Sequence, residues 1–190
     1  MQRRIAIFAS GEGSNFEAIV RACQQGRIDA ECVLLVCDKP GAQAVERAKQ
    51  LGVESFVFSA RDFESKAAYE AEIVRRLDEA EVELVCLAGY MRIVGEVLLG
   101  SYEGRIINIH PSLLPSFRGA RALEQAFEAG VKIFGVTIHY VDSSLDGGAI
   151  IDQRAFHSEG ESIERVEERI HEIEHLLYPE VVGKLLNSKQ

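Results

Sequence analysis

The sequence predicts an α/β protein: an open, mostly parallel twisted sheet with helices on both faces and C-terminal strands that are partly antiparallel. Three observations carry that expectation. Short apolar runs rich in β-branched residues alternate with longer amphipathic stretches through the first two thirds of the chain, as βαβ units require. Glycine-containing turns follow the apolar runs, where an open parallel sheet delivers its loops to one rim. After Pro111 the alternation gives way to two strand-like runs joined by a short glycine loop.

The expected strands are Ile5 to Ala9, Cys32 to Cys37, Ser55 to Phe58, Leu84 to Ala88 and Arg105 to Ile109. Between them Asn15 to Gln25, Ala42 to Leu51 and Asp62 to Ala80 read as helices. In the last of these, Phe63, Tyr69, Ile73, Val74 and Leu77 recur at steps that build one apolar face. A helix from Ala122 to Ala129 leads to strands Gly135 to Val141 and Ala149 to Ala155, joined by the loop Asp142 to Gly148. A final helix is expected from the N-cap Ser162 to Leu177, with Tyr178-Pro179 breaking or kinking it.

At 190 residues the chain is expected to form one domain, residues 1–190, without repeats or linkers. Its 47% apolar and 27% charged composition is that of an ordinary globular protein, which argues against disorder or a coiled coil. The net charge of −9, with basic residues scattered among carboxylates, argues against a nucleic-acid backbone as partner. The apolar run before Gly11 is too short for a signal-peptide core or a membrane span. Cys23, Cys32, Cys37 and Cys86 lie in or beside apolar segments without a CxxC pair, the pattern of small hydrophobes in a reducing compartment, so the cytoplasm is expected.

Three strand ends carry chemistry. The first, Ser10-Gly11-Glu12-Gly13-Ser14-Asn15, offers backbone N–H groups and a hydroxyl at a helix N-terminus, a setting that favours a phosphate. A turn with a simple helix cap fits it equally well; a dinucleotide site using Asp38 is also open, weakened because Phe16 stands where GxGxxG needs its third glycine. The second is Gly89-Tyr90-Met91-Arg92. In the third, Asn108 and His110 are two apart on an extended segment and project to one side, where both can donate to a carbonyl oxygen that becomes anionic. Asp146, in Leu145-Asp146-Gly147-Gly148, can supply a carboxylate that favours the imidazolium of His110, or can be a turn residue.

With these segments assembled, the chain resembles the folate-dependent glycinamide ribonucleotide formyltransferases over nearly its whole length. The phosphate loop, Leu87-Ala88-Gly89-Tyr90-Met91-Arg92-Ile93, Asn108-Ile109-His110-Pro111-Ser112-Leu113-Leu114-Pro115 and Leu145-Asp146-Gly147-Gly148 carry the likeness, in order and at similar spacing. It implies a Rossmann-like formyltransferase fold and transfer of a formyl group from 10-formyltetrahydrofolate, the co-substrate, to the amine of glycinamide ribonucleotide. It further implies that Asn108, His110 and Asp146 are catalytic, and that Gly13, Ser14 and Asn15 hold the substrate phosphate. Met91, Arg92, Ile93 and Val94, together with Asn108, would bind the folate, with Lys66 approaching its tail and Glu174 the ribose. The expected partners are small molecules, with no metal, nucleic acid or membrane, in a monomer or homodimer.

Two positions depart from the family pattern. Arg118-Gly119-Ala120-Arg121 replaces Pro-Gly-x-His and is similar to the methionyl-tRNA formyltransferases, and His171 stands where the family carries glutamine or lysine. Other readings remain open: a hydrolase or tRNA-type formyl-folate enzyme, and a nucleotide-binding module that uses the first loop alone. His171-Glu172-Ile173-Glu174-His175 also fits the HExxH pattern of a zinc metallopeptidase. His139 is read as an ordinary strand residue and His157 as a loop residue.

Overall fold

The computed structural model describes residues 2–187. It contains one seven-stranded sheet in the order β3-β2-β1-β4-β5-β6-β7. Strands β1 (Arg3–Phe8), β2 (Ala30–Cys37), β3 (Ser55–Val57), β4 (Leu84–Leu87) and β5 (Ile106–His110) pair in parallel. Strands β6 (Ile133–Tyr140) and β7 (Ile150–His157) are antiparallel, β6 to β5 and β7 to β6. The mixed sheet is as expected, with parallel and antiparallel parts divided at β5.

Side-chain alternation sorts the core into two layers. Ile5, Ile7 and Ala9 face one layer, closed by α1 (Ser14–Gln24), α2 (Gln43–Leu51), α5 (Ala122–Glu128) and α6 (Ile163–Asn187). Ala6 and Phe8 face the other, closed by α3 (Lys66–Glu79) and α4 (Glu96–Ser101). Helices therefore cover both faces. On β5, Ile107 joins the first layer and Ile106 the second. By the same alternation Asn108 and His110 continue the face of Ile106, beyond the apolar residues of the α3–α4 layer. There the polar side chain of His110 meets polar groups of the loops after β5 and β6 in place of a helix.

Several boundaries differ from expectation. Helix α3 starts at Lys66, because the Ser65 hydroxyl caps it by accepting the Ala68 N–H at 3.1 Å, while Ala60–Asp62 forms a separate 3₁₀ turn. Helix α4, a single short segment, carries too little periodicity to be read from sequence.

The break expected at Tyr178-Pro179 does not occur: α6 runs unbroken from Ile163 to Asn187 with Pro179 inside it. A helical proline lacks a donor and crowds the preceding turn. Burial of Tyr178, Pro179, Val181 and Val182 against the sheet offsets that cost. The Tyr178 hydroxyl also donates to the carbonyls of Leu87 at 2.9 Å and Ile107 at 3.2 Å, fastening the helix under β4 and β5.

Cys23, Cys32, Cys37 and Cys86 are all free and buried. Burial pushes the Cys23 thiol up to about 11, so it packs as a neutral hydrophobe. Among the described residues no helix is long and apolar enough to cross a membrane.

Candidate functional site

The sheet reverses its winding between β1 and β4, since β1 leads outward to β2 on one side while β4 lies on the other. A crevice forms outside the carboxyl ends of strands at such a switch point. The loops after β1 and β4 meet there: the Ser10 N–H donates to the Gly89 carbonyl at 3.1 Å.

Gly13 precedes α1 with φ 78°, in the left-handed region that favours glycine. A Cβ at this position would lie 2.7 Å from Ala44 Cβ, so the loop also needs glycine to pack against the start of α2. No side chain caps α1, which leaves its first-turn N–H groups available to an anion. Ser14 opens the helix half-buried.

Asn15 is buried and its amide donates to Glu174 Oε2 at 2.9 Å, while its Oδ1 has no partner. His171 Nδ1 reaches the same carboxylate oxygen at 3.1 Å, which favours the imidazolium and raises the His171 pKa against the opposing effect of burial. His175 lies one turn further, its pKa lowered by burial and its Nε2 without a partner. The Gly13–Asn15 loop and Glu174, the carboxylate expected near the ribose, are thus in direct contact.

The HExxH pattern does not become a metal centre. His171 is committed to Glu174, the Glu172 side chain is 65% exposed, and among the described residues no group of three or more His, Cys, Asp or Glu is placed to hold a metal ion.

On the loop after β4, expected on the folate side, Met91 and Ile93 are exposed at 70% and 73%, whereas Val94 is buried. Exposed apolar side chains on a cleft rim suit a flat heteroaromatic ring. Glu70, buried on α3, accepts the Gly95 N–H at 2.6 Å and the Leu98 N–H at 3.3 Å, capping α4 and fixing the loop's exit. Lys66 stands at the start of α3, and its Cε would touch a Cβ placed on Gly95 at 2.7 Å. It therefore lies beside this loop.

At the end of β5 the expected constellation is assembled. His110 is buried, its Nδ1 lies 3.6 Å from Asp146 Oδ2, and its Nε2–H donates to the Phe117 carbonyl at 2.8 Å. Asp146 takes φ 48° in the loop after β6 and is anchored by the Gly119 N–H, 2.7 Å from Oδ2. The loop folds this tightly because Gly148 passes close to β6, where a Cβ would come within 1.9 Å of the Tyr140 carbonyl.

His139 was not singled out from sequence, yet it faces the same carboxylate. Its Nε2 lies 3.7 Å from Asp146 Oδ1 and 3.2 Å from the Asn108 amide nitrogen, while Nδ1 donates to the Tyr140 carbonyl at 2.8 Å. The Nδ1–H tautomer leaves Nε2 as an acceptor, and this fixes which way the Asn108 amide points. Burial lowers the His139 pKa, against the Tyr140 carbonyl and Asp146, and favours that neutral form. The alternation of Val136 and Ile138 with Thr137 and His139 was the available signal: it puts His139 opposite Asn108 once β5 and β6 pair.

Arg121 adopts φ 58° before α5, and its guanidinium, 70% exposed, reaches Glu124 and Glu128 at 3.7 Å each. Asp38, the acid of the dinucleotide reading, is 5% exposed; one oxygen accepts from Ser10 and the other pairs with Arg92 at 2.7 Å. Both oxygens are thus paired within the protein.

Comparison with known proteins agrees with this geometry. A family profile described as formyl transferase matches residues 3–182. The phosphoribosylglycinamide formyltransferase of Bacillus subtilis (strain 168) is 52% identical over 97% of this chain and 95% of its own length. The trifunctional purine biosynthetic protein adenosine-3 of Drosophila melanogaster is 41% identical over 98% of this chain, which spans 14% of that protein. Among solved structures, glycinamide ribonucleotide transformylase 1 from Geobacillus kaustophilus superposes with a TM-score of 0.96 at 53% identity, covering 98% of this chain and 100% of its own. The phosphoribosylglycinamide formyltransferase from Bacillus halodurans gives 0.95 at 49% identity, covering 99% and 97%. With the profile spanning nearly every described residue and relatives matched over 95% or more of their own length, the chain belongs to the formyl transferase family.

Proposed function

We propose that the protein transfers the formyl group of 10-formyltetrahydrofolate to the amine of glycinamide ribonucleotide, a step of purine synthesis. The observation that carries this reading is the meeting of Asn108, His110 and Asp146 at one strand end, on the rim that also holds the Gly13–Asn15 loop. A simple nucleotide binder needs only the loop.

The phosphate sits on the first turn of α1, held by the backbone N–H groups at Gly13, Ser14 and Asn15 and by the Ser14 hydroxyl. Glu174, steadied by Asn15 and His171, faces the ribose hydroxyls. The pterin packs on Met91, Ile93 and Val94, and Lys66 approaches the anionic folate tail. Both substrates are small molecules. The enzyme works in the cytoplasm, as a monomer or homodimer.

The amine lone pair attacks the formyl carbon directly, and the carbonyl π electrons move onto oxygen. Asn108 Nδ2–H and the Nε2–H of His110 stabilise that oxyanion. The Phe117 carbonyl now takes the Nε2–H, so this turn has to yield it when the formyl oxygen arrives. Asp146, facing Nδ1, supports the imidazolium while the developing charge is held. The intermediate collapses as the carbon–nitrogen bond to the folate breaks. One proton leaves the attacking amine and one reaches the departing nitrogen, giving the formamide and tetrahydrofolate. Holding the two substrates together supplies much of the acceleration.

His110→Ala is expected to lower kcat by about 10²-fold or more, the scale for loss of an oxyanion donor, while titration calorimetry shows ribonucleotide affinity unchanged. Asp146→Asn should act in the same direction with a smaller loss. Unchanged turnover in both variants would remove the constellation from the mechanism.

A further inference from the structure

Asp38 directly follows β2 and is one of three buried carboxylates among the described residues, yet the proposed reaction makes no use of it. Its two oxygens face two different loops. Ser10, 2% exposed in the phosphate loop, donates its hydroxyl proton to Oδ1, and the same hydroxyl accepts the Met91 N–H at 2.9 Å. Oδ2 lies 2.7 Å from Arg92 Nε, an ion pair that is not aligned as a hydrogen bond. The Arg92 guanidinium in turn lies 5.7 Å from the ring centre of Tyr69, which α3 contributes. One carboxylate therefore holds the phosphate loop through Ser10 and the folate-side loop twice, at Met91 and at Arg92.

Burying a carboxylate is costly, and a position that needed only packing would be served better by an apolar residue. Every partner of Asp38 in this network belongs to a ligand loop. We infer that Asp38 is a positioning residue that fixes the phosphate loop and the folate-side loop to each other, so that the two substrates are held at the separation the reaction needs. The inference rests on the proposed roles of those loops. Its consequence is an asymmetry: losing Asp38 releases both loops, whereas losing the Arg92 side chain releases only one.

The test is steady-state kinetics with both substrates for the wild type, Asp38→Ala, Asp38→Asn, Arg92→Gln and the Asp38→Asn/Arg92→Gln pair. Asp38→Ala should raise KM for both substrates roughly tenfold and lower kcat as well, since displacements of an ångström at reacting atoms are expensive. Arg92→Gln should raise KM for 10-formyltetrahydrofolate alone. Asp38→Asn keeps an acceptor for Ser10 and should match Arg92→Gln, with the double variant no worse than either, because neighbours in one network are not additive. If Asp38→Ala does not fold, the Asn and Gln variants and their pair carry the same test. KM values that stay at wild type in Asp38→Asn and Arg92→Gln, or losses that add in the pair, would overturn the inference. A wild type that turns over neither substrate would instead overturn the reading of the loops, and this inference with it.

Discussion

His139 decides the orientation of Asn108, and its protonation state is where pH should enter. Burial lowers its pKa below the ordinary 6.5, so the neutral form accepts the Asn108 amide proton at neutral pH. On acidification the unfolded chain takes this proton first. The contribution is therefore lost as pH falls from about 6.5 through the lower folded value, and is flat above it. Protonated His139 would also repel the Asn108 amide and draw towards Asp146, so kcat should fall as pH drops through the lowered folded value. An NMR titration of the imidazole nitrogens should show His139 neutral at pH 6.5; a folded pKa above that would contradict the assignment.

His171 has the opposite sign. Its bond to Glu174 raises its pKa, so its contribution to stability is complete below about 6.5 and disappears as pH rises through the folded value. The difference in melting temperature between wild type and His171→Gln should shrink across that rise. His171 is one of two departures from the family pattern, and in this fold it is bound to Glu174, the partner of Asn15, whereas Arg121, the other, turns to acidic residues around α5.

Among elements, the loop between β1 and α1 tolerates little change at Gly13. Gly13→Ala combines a left-handed φ of 78° with a Cβ contact of 2.7 Å to Ala44, so it should cost about 2–4 kcal/mol and raise the ribonucleotide KM. Chemical denaturation checks the first and steady-state kinetics the second; a neutral substitution would mean the loop is not held as described. The parallel strands were legible in the sequence because both faces are buried and their apolar runs are continuous. Helix α6 runs past Leu177, where the sequence ends it, because local propensity speaks against a helix that tertiary burial sustains. Helix α4 was missed because its start is set by Glu70, a residue of another helix. His139 was passed over for a similar reason: a strand residue acquires a partner only when the register of β5 and β6 is known.

For the whole molecule, the arrangement follows from where the sheet reverses and where its covering helices stop. The switch point brings the loops after β1 and β4 together, and the carboxyl end of β5 adds Asn108 and His110 beside them. Asn108, His110 and Asp146 could be named from sequence because their spacing matches a pattern; the anchors Ser10 and Asp38 could not, since their value lies in contacts between segments distant in the chain. The claim that this rim performs formyl transfer to the ribonucleotide amine is tested most directly by one competition assay. Purified enzyme is given 10-formyltetrahydrofolate with glycinamide ribonucleotide, water and charged initiator tRNA together, and the fate of the formyl carbon is followed by isotope label. Label recovered in formylglycinamide ribonucleotide, with little in formate or tRNA, is the predicted result; label that reaches only formate or only tRNA would contradict it.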